Sequence, residues 1–562
     1  MPNSQDFNRF SINPVNIDIS RSLLNLDHSV KFSCNVGECI PFDCIEVLPG
    51  DTFTIDTSKV IRLQPLVAPI MQEIFLDVYY FYIPNRLVWS HWKEFMGENN
   101  ESAWAPATEY NIPTLQAPSG GWNVGTIADY LGVPVGASIY PKVSALPFRA
   151  YALVMDQWFR SEAVMDPVHC FVDDSNRTGS NGNNQVTDIE LGGKPFIACK
   201  YFDYFTGALP SPQRGDAATI KIIRGNYNFF PVITDDDMVH PYDAGKTTSH
   251  HGVHATYKTK NGNTISDYNK TENLYVSPNG LTTQGNPGEF TSYDVFFDNL
   301  FARAENSMFN NVSINDLRTA FAIQKYLEKQ ARYGGRYQEF IKAFFGVDSP
   351  DARLQRTEYL GGSRISLNIN SVEQTSATSS GSTPLGNVAG MSVTGDSHSD
   401  FSKSFTEHGM ILGIAVCRYE HSYQDSIHKM WTRKTPYEFY NPVFANIGET
   451  PIKISQLYGY VGNDGTFGYQ EAWAEYRYIP SRVSGEMRSV YSTPLDMWHL
   501  ADHYVSEPSL SPEWLREDKS NLDRCLAVTS DVSNQVICDF YIKTAAARPM
   551  PLYSIPGLID HH

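Results

Sequence analysis

The chain has few charged residues for its length, and basic residues are the scarcer kind. Lysine and arginine number 44 against 62 aspartate and glutamate residues, which gives the 562 residues a net charge of −18. Proteins that bind nucleic acid unaided are normally basic, because phosphate contacts dominate their affinity. The composition therefore argues against a dedicated DNA-binding protein, although it leaves room for a local basic patch.

Cysteine is also sparse, with eight residues in the chain. That number is too low for a disulfide scaffold, and the five-residue spacing of Cys34, Cys39 and Cys44 matches no zinc-binding pair. A regular strand would place Cys39 on the opposite face from the other two. The cysteines are therefore predicted to be reduced and structural.

Targeting segments and catalytic motifs are missing as well. The first residues lack the basic region and apolar core of a signal peptide, and the longest apolar run, near Met410–Cys417, is too short to span a bilayer. No nucleophile elbow, P-loop or dinucleotide fingerprint occurs. We therefore expect synthesis in a cytoplasm, no membrane insertion, no enzymatic activity and no cofactor.

Aromatic residues and turn formers are abundant. Aromatics make up 13% of the chain, with 39 glycines and 33 prolines, a composition that favours strands joined by many turns. Strand-like runs occur in both end thirds, with helices and loops between them. This order is natural for a jelly roll whose ends pair across one sheet, so we predict a single mainly-β domain over residues 1–562.

The clearest local pattern lies at residues 76–97. Aromatic and β-branched residues predict a strand that Pro84 closes. From Leu87 the apolar residues follow a helical period until Gly97, which predicts a helix. Further helices are predicted over residues 126–132, 147–159, 313–333 and 337–345.

Three segments are predicted to lie outside the framework. Residues 1–33 are polar without a clear period and predict an N-terminal arm. Residues 222–289 have few aliphatic side chains and many turn formers, which indicates a surface insertion. Residues 540–562 are predicted to form an extended C-terminal tail.

Candidate site residues fall into two groups. The first comprises polar side chains of the predicted insertion, where a metal site is possible but an exposed polar loop is the favoured interpretation: Asp235, His250, His251, His254 and Tyr268. The second comprises aromatic and basic side chains that could stack on the bases of a single strand, anchor an interface or pack in the core: Trp89, Trp92, Trp104, Tyr476, Arg477 and Arg482. Packing or an interface is favoured for the second group.

Several blocks resemble the major capsid protein of gokushoviruses, which are single-stranded DNA phages of the microvirus family. These blocks are NRLVWSHWKEFMGEN at 85–99, SAWAP at 102–106, ALPSPQ at 208–213, SPDARLQR at 349–356, TEYLGG at 357–362, NPVFANIGE at 441–449, WAEYRY at 473–478 and PGLIDH at 556–561. They run in a consistent order along most of the chain. The insertion at 222–289 shows no such resemblance.

The resemblance implies an eight-stranded jelly roll that self-assembles into the simplest (T=1) icosahedral shell. It also implies that the insertion forms protrusions at the threefold axes and contributes to attachment to a host-cell receptor. Circular single-stranded DNA, a small basic DNA-binding protein and a DNA pilot protein would be its partners in the virion, after assembly in the host bacterial cytoplasm. A basic partner would offset the acidity of the shell.

The many Tyr and Trp residues also permit a rival hypothesis, a soluble β-sandwich carbohydrate-binding protein or glycosidase. Large particles on purification would favour the shell. Glycoside turnover that depends on a carboxylate would favour the rival.

Overall fold

The computed structural model describes residues 20–98, 108–136, 142–215, 314–333, 336–351, 355–375, 386–461 and 464–553, together with six short strands between residues 232 and 302. The chain divides into two compact units. One comprises residues 1–215 and 327–562, and the other comprises residues 216–326. The predicted insertion, 222–289, falls within the second unit, whose bounds are wider than the prediction.

Nine strands of the first unit form two antiparallel sheets. They are β1 (Ser22–Asn25), β2 (His28–Cys34), β3 (Ile40–Val47), β4 (Thr52–Leu63), β5 (Ile74–Pro84), β6 (Glu358–Ser366), β7 (Thr394–Ser404), β8 (Gly409–Tyr419) and β9 (Val536–Arg548). One sheet has the order β9–β4–β7, with β1 and β2 in line along the free edge of β9. The other has the order β6–β5–β8–β3. The prediction of a mainly-β chain with antiparallel sheets is therefore confirmed.

The described helices are fewer and shorter than the strands. The longer ones are α1 (Leu146–Val154), α2 (Ile314–Tyr333) and α3 (Tyr337–Phe345); single turns are Asn85–Val88, Trp92–Phe95, Ile127–Tyr130, Ile454–Leu457, Pro512–Leu515 and Ser520–Asp523. A π-helical turn, Met155–Phe159, continues α1. The helices predicted over 126–132, 147–159, 313–333 and 337–345 are thus confirmed. None of the described helices is long and apolar enough to cross a membrane.

The other described segments are short. The remaining strands of the first unit are Thr114–Gln116, Val143–Ser144, Arg177–Thr178, Ile369–Glu373, Val388–Ser392, Ser422–Tyr423, Glu449–Lys453, Thr466–Glu471 and Ser481–Arg482. The second unit contains Val232–Thr234 paired with Leu300–Ala302, Tyr257–Thr259 paired with Val295–Phe297, and Leu274–Ser277 paired with Gly280–Thr283. The 3₁₀ turns are Ile189–Leu191, Lys429–Trp431, Pro436–Glu438, Pro442–Phe444, Ala474–Tyr476, Gly485–Met487 and Asp496–Trp498.

Strand β5 is buried on both faces, which explains why its residues are apolar or aromatic apart from Asp77, whose buried carboxylate pairs with Arg364 and Arg418. Val78 and Tyr80 lie in the core that both sheets share, whereas Phe81 and Ile83 lie in a second core that includes α1. By contrast, β4 and β9 alternate between buried and exposed side chains. The sheet that contains them therefore has one covered face and one open face.

Three sequence-based boundaries need correction. Residues 22–25 and 28–33 of the predicted arm lie in β1 and β2, and residues 540–548 of the predicted tail continue β9. The alternation of buried side chains in β9 extends through Ala546, so the sheet pairing extends with it. The helix predicted from Leu87 to Gly97 is interrupted, because Trp89 adopts extended backbone angles and the Ser90 amide bonds to the Val172 carbonyl.

All eight cysteines are free thiols. Cys34 lies in the core shared by the sheets and Cys39 in the second core. They do not share a strand, however, because Cys34 ends β2 and Cys39 precedes β3, so the alternation argument does not apply to them. Cys44 packs with Cys39 instead of Cys34. A register shift in β3, where Gly413 pairs with Asp43 and Ile414 with Pro41, reverses the alternation at that point.

Candidate interaction surface

Two of the predicted aromatic residues lie inside the first unit. The Trp89 side chain is fully buried, and its indole N–H donates a hydrogen bond to the Asp174 carboxylate at 2.6 Å. Trp92 is 9% exposed, with its ring centroid 6.3 Å from that of Trp89. The Trp89 hydrogen bond lowers the pKa of Asp174 by favouring the charged carboxylate. Of the interpretations considered, core packing fits these tryptophans.

The structure does not address the candidates in the predicted insertion. Asp235, His250, His251, His254 and Tyr268 lie outside the described residues, as does Trp104. Their surface and binding roles therefore remain predictions. Among the residues that the structure does describe, no group of His, Cys, Asp and Glu is arranged to hold a metal ion.

Tyr476, Arg477 and Arg482 belong to a feature that we call the basic–aromatic surface, defined as residues 429–447 and 473–491. Its backbone includes five 3₁₀ turns, three of which begin at a side-chain cap or capping box. The Asn441 side chain accepts a hydrogen bond from the Val443 amide, and Thr435 with Glu438 forms a capping box. These caps satisfy the free backbone groups at the turn ends, so the loops have a defined conformation.

Glu475 joins the two segments. Its carboxylate lies 3.0 Å from the Arg433 guanidinium and 3.3 Å from the Lys429 ammonium. The Glu475 side chain is only 4% exposed and that of Arg433 only 6%. Because removal of one member of a buried ion pair leaves the other charge uncompensated, this contact holds the surface together.

The Arg433 guanidinium also stacks on two rings of the surface. It lies 4.6 Å from the Tyr476 ring centroid and 5.2 Å from that of Phe439. Tyr440 approaches both Trp473 and Tyr476, with centroid distances of 5.7 and 6.3 Å. The aromatic side chains therefore form one connected array instead of isolated contacts.

A cavity of about 520 Å³ opens beside this array. Tyr423 and Phe205 are among the buried residues that line it. Its other walls carry Trp431, Tyr478, Ile479, Arg482 and Arg488. Within the described part of the chain, neither Arg482 nor Arg488 has an ion-pair partner. The cavity thus combines apolar walls with two guanidinium groups that can donate hydrogen bonds to an external anion.

A buried ionic cluster supports the surface from beneath. The two ring nitrogens of His421 lie 3.0 Å from Asp502 and 2.8 Å from Glu517, and the Lys200 ammonium lies 3.1 Å from Asp502. Burial alone would lower the pKa of His421, but the two carboxylates outweigh this effect and raise the pKa to about 9. His421 is therefore charged at neutral pH.

The cluster is connected to the surface through Gln424. Its amide N–H donates to the Asp502 carbonyl at 3.1 Å, and its side-chain oxygen accepts from the Ser489 amide at 2.7 Å. Ser489 lies directly after Arg488 in the chain. The position of the Arg488 backbone therefore depends on the buried cluster.

Tyr476, Arg477 and Arg482 were predicted from the sequence, whereas Trp431, Arg433 and Glu475 were not recognised as parts of the same feature. Arg477 pairs with Glu471 at 2.6 Å, so its charge is already compensated. The signal for the missing residues was the mixture of bulky apolar and basic residues at 429–434, KMWTRK. Only the fold shows that Glu475, four positions beyond Glu471, binds that run.

Comparison with known proteins places the chain in a phage family. Residues 14–558 match the family described as capsid protein (F protein). The chain is 41% identical to capsid protein VP1 of Spiroplasma virus 4 over 98% of its own length and 97% of that protein. It is 34% identical to the VP1 proteins of Chlamydia phage 1 and Bdellovibrio phage phiMH2K, with coverage of 98% and 96% of each chain, respectively.

A more distant similarity covers part of the chain. Capsid protein F of Enterobacteria phage phiK is 26% identical over 201 residues, which is 35% of this chain and 40% of that protein. The three VP1 matches extend over nearly the full length of this chain and of each VP1 protein. The chain therefore belongs to the capsid F protein family, and within it to the gokushovirus capsid proteins, which are structural proteins of the virus particle and not enzymes.

Proposed function

We propose that this chain is the major subunit of a T=1 icosahedral shell and that its two sheets are the halves of an eight-stranded jelly roll. The strand order supports the fold proposal. Because β1 and β2 share one edge of β9, each sheet has four strand positions. Successive strands alternate between the sheets except at β5 and β6, where the long insertion occurs. This alternation is the pattern of a capsid jelly roll.

The proposed contents of the shell are circular single-stranded DNA, a small basic DNA-binding protein and a DNA pilot protein. The net charge of −18 supports a basic partner, since an acidic shell repels phosphate groups. The rival glycosidase hypothesis is set aside, because family membership identifies a structural protein. Assembly would take place in the cytoplasm of the bacterial host.

The insertion at 222–289 is proposed to protrude at the threefold axes and to contribute to attachment to a host-cell receptor. It is a long, polar and turn-rich segment between two consecutive strands of one sheet. Loops on a rigid framework commonly carry binding functions.

The observation that carries the assembly proposal is the full-length match to phage capsid proteins, together with the extensive apolar surface of the single chain. The test is purification of the full chain, followed by light scattering and electron microscopy across a range of salt concentrations. Particles in the megadalton range with icosahedral outlines are expected. Monomers or dimers under every condition, without assembly intermediates, would contradict the proposal.

A further inference from the structure

The basic–aromatic surface exposes bulky apolar side chains to a degree that is unusual for a single folded chain. Val443 is 83% exposed, Ile479 82%, Tyr437 75% and Trp431 72%. Other exposed members are Met430, Phe439, Tyr440, Ile447, Tyr476 and Val490. A contiguous exposed patch of this kind generally marks a contact with another macromolecule.

The exposed side chains stand on a preorganised backbone. The Asn441 cap, the Thr435–Glu438 capping box and the buried Arg433–Glu475 pair fix the turns that carry them. A surface that is already ordered loses little conformational entropy when a partner binds. The geometry is therefore that of a rigid docking face.

The charge of this surface is opposite to that of the whole chain. Residues 429–447 and 473–491 contain six lysine and arginine residues against three glutamates, whereas the chain carries a net charge of −18. Arg482 and Arg488 face the cavity, and neither forms an ion pair with another described residue. The positive charge of this surface is thus complementary to the net negative charge of the chain as a whole.

We propose that the basic–aromatic surface binds a carboxylate-bearing face of a second copy of this chain, in a head-to-tail contact of the proposed shell. This inference rests on the proposed assembly function. A contact of the surface with itself would oppose like charges, whereas a head-to-tail contact pairs it with a different, acidic face. Head-to-tail contacts generate closed rings when the rotation between neighbours closes.

The side-chain types favour protein over nucleic acid as the partner. Binding of a single nucleic-acid strand relies on charges that contact phosphates and on aromatic faces that stack on bases. Several of the most exposed side chains of the surface are aliphatic and offer neither feature: Val443, Ile447, Ile479 and Val490. Trp, Tyr, Met and Arg are the residue types enriched in the cores of protein interfaces. The cavity of about 520 Å³ beside Trp431 serves in this arrangement as the socket for a side chain of the neighbour.

Two variants of the full chain test the contact, Ile479→Asp and Arg482→Glu. Both side chains are exposed in the single chain, so the thermal unfolding of unassembled subunits should not change. Each variant should raise the protein concentration required for particle formation by roughly tenfold or more, as for the loss of an interface hot spot. Light scattering against concentration gives this threshold.

Matched controls are Val532→Asp, because Val532 is 81% exposed, and Lys543→Glu on the open face of β9. Both controls should assemble at the wild-type threshold. Equal impairment by the test and control variants would overturn the proposal, as would normal assembly of the test variants. If the wild type itself forms no particles, the proposed shell function fails and this contact fails with it.

Mixing and DNA-binding experiments separate the remaining outcomes. In a head-to-tail contact, an Arg482→Glu subunit still presents its acidic face, so a small fraction of it should slow the assembly of wild-type subunits. Binding of a fluorescent oligothymidylate is measured in parallel. If Arg482→Glu weakens oligonucleotide binding and leaves assembly unchanged, the surface contacts the genome and the proposed subunit contact is wrong.

Discussion

The carboxylate of Glu475 lies 3.0 Å from the guanidinium of Arg433, and both side chains are almost completely buried beneath an exposed aromatic surface. Each segment of that surface contributes one member of this pair. The apolar side chains above it do not form a core of their own. Their arrangement therefore depends on this electrostatic contact and on the turns beside it.

The first prediction concerns this pair. Glu475→Gln should destabilise residues 429–447 and 473–491, because the buried Arg433 guanidinium and the partly exposed Lys429 ammonium lose their counter-charge. The expected cost is roughly 3 to 5 kcal/mol, confined to this region if the loops open locally. Hydrogen exchange of the two segments measures it. The control is Glu486→Gln at an exposed position of the same surface, and equal protection in the two variants would contradict the prediction.

The second prediction is a pH dependence of stability. The pKa of His421 rises from an ordinary value of 6.5 to about 9 in the folded chain. Its contribution is therefore complete below about pH 6.5 and is lost as the pH rises through about 9. This shift corresponds to stabilisation on the order of 3 kcal/mol. Urea unfolding of unassembled subunits at pH 6 and pH 10 should show the loss.

His421→Asn is the matching variant for this pH dependence. It should be less stable at pH 6 and should lose less stability than the wild type between pH 6 and pH 10. His28, whose pKa Asp43 also raises to about 9, remains in both proteins, so the difference between them isolates His421. His398→Asn, at an exposed position, should behave like the wild type. Parallel pH profiles of His421→Asn and the wild type would refute the assignment.

The third prediction concerns the approach of the two sheets at β6 and β7. A Cβ atom on Gly361 would lie 2.2 Å from the carbonyl oxygen of Asp400, so no side chain fits without movement of the backbone. Gly361→Ala should lower the free energy of unfolding by about 1–3 kcal/mol. Gly395→Ala, where a Cβ would meet nothing within 4 Å, is the control. Equal destabilisation by both would indicate a general effect of glycine replacement.

The fourth prediction concerns the insertion. Deletion of residues 245–285 should leave a soluble subunit that still assembles, because these residues belong to the second compact unit. Particles of the deleted chain should adsorb poorly to cells that bind wild-type particles. Soluble yield, particle formation and adsorption are the three measurements. An insoluble product would show that the segment is structural.

The sequence predicted elements well where one physical signal dominated. Thr126 caps a helix because its hydroxyl accepts a hydrogen bond from the Asp129 amide. This bond follows directly from the spacing of the two residues. The helix from Leu87 was predicted incorrectly, because the backbone is extended at Trp89 and the Ser90 amide bonds to the carbonyl of Val172, 82 positions away. Local periodicity contains no information about that partner.

The candidate surface shows the same division. Tyr476 and Arg482 were identified from composition alone, since exposed aromatic and basic residues are conspicuous in an acidic chain. The role of Glu475 depends on Arg433, 42 positions earlier, and became evident only from the fold. The burial of Trp89 and Trp92 was likewise undetermined, because tryptophan is common in both cores and interfaces.

The position of β9 has a consequence for synthesis. This strand lies between β2 and β4, and its residues 536–542 pair with residues 28–34 from the beginning of the chain. A ribosome must therefore release almost the whole chain before this sheet can form. Nascent subunits leave two edge strands unpaired until that moment, so premature association is a hazard that chaperones or rapid completion must counter. Chains truncated before β9 cannot complete this sheet. We expect them to be degraded instead of incorporated into particles.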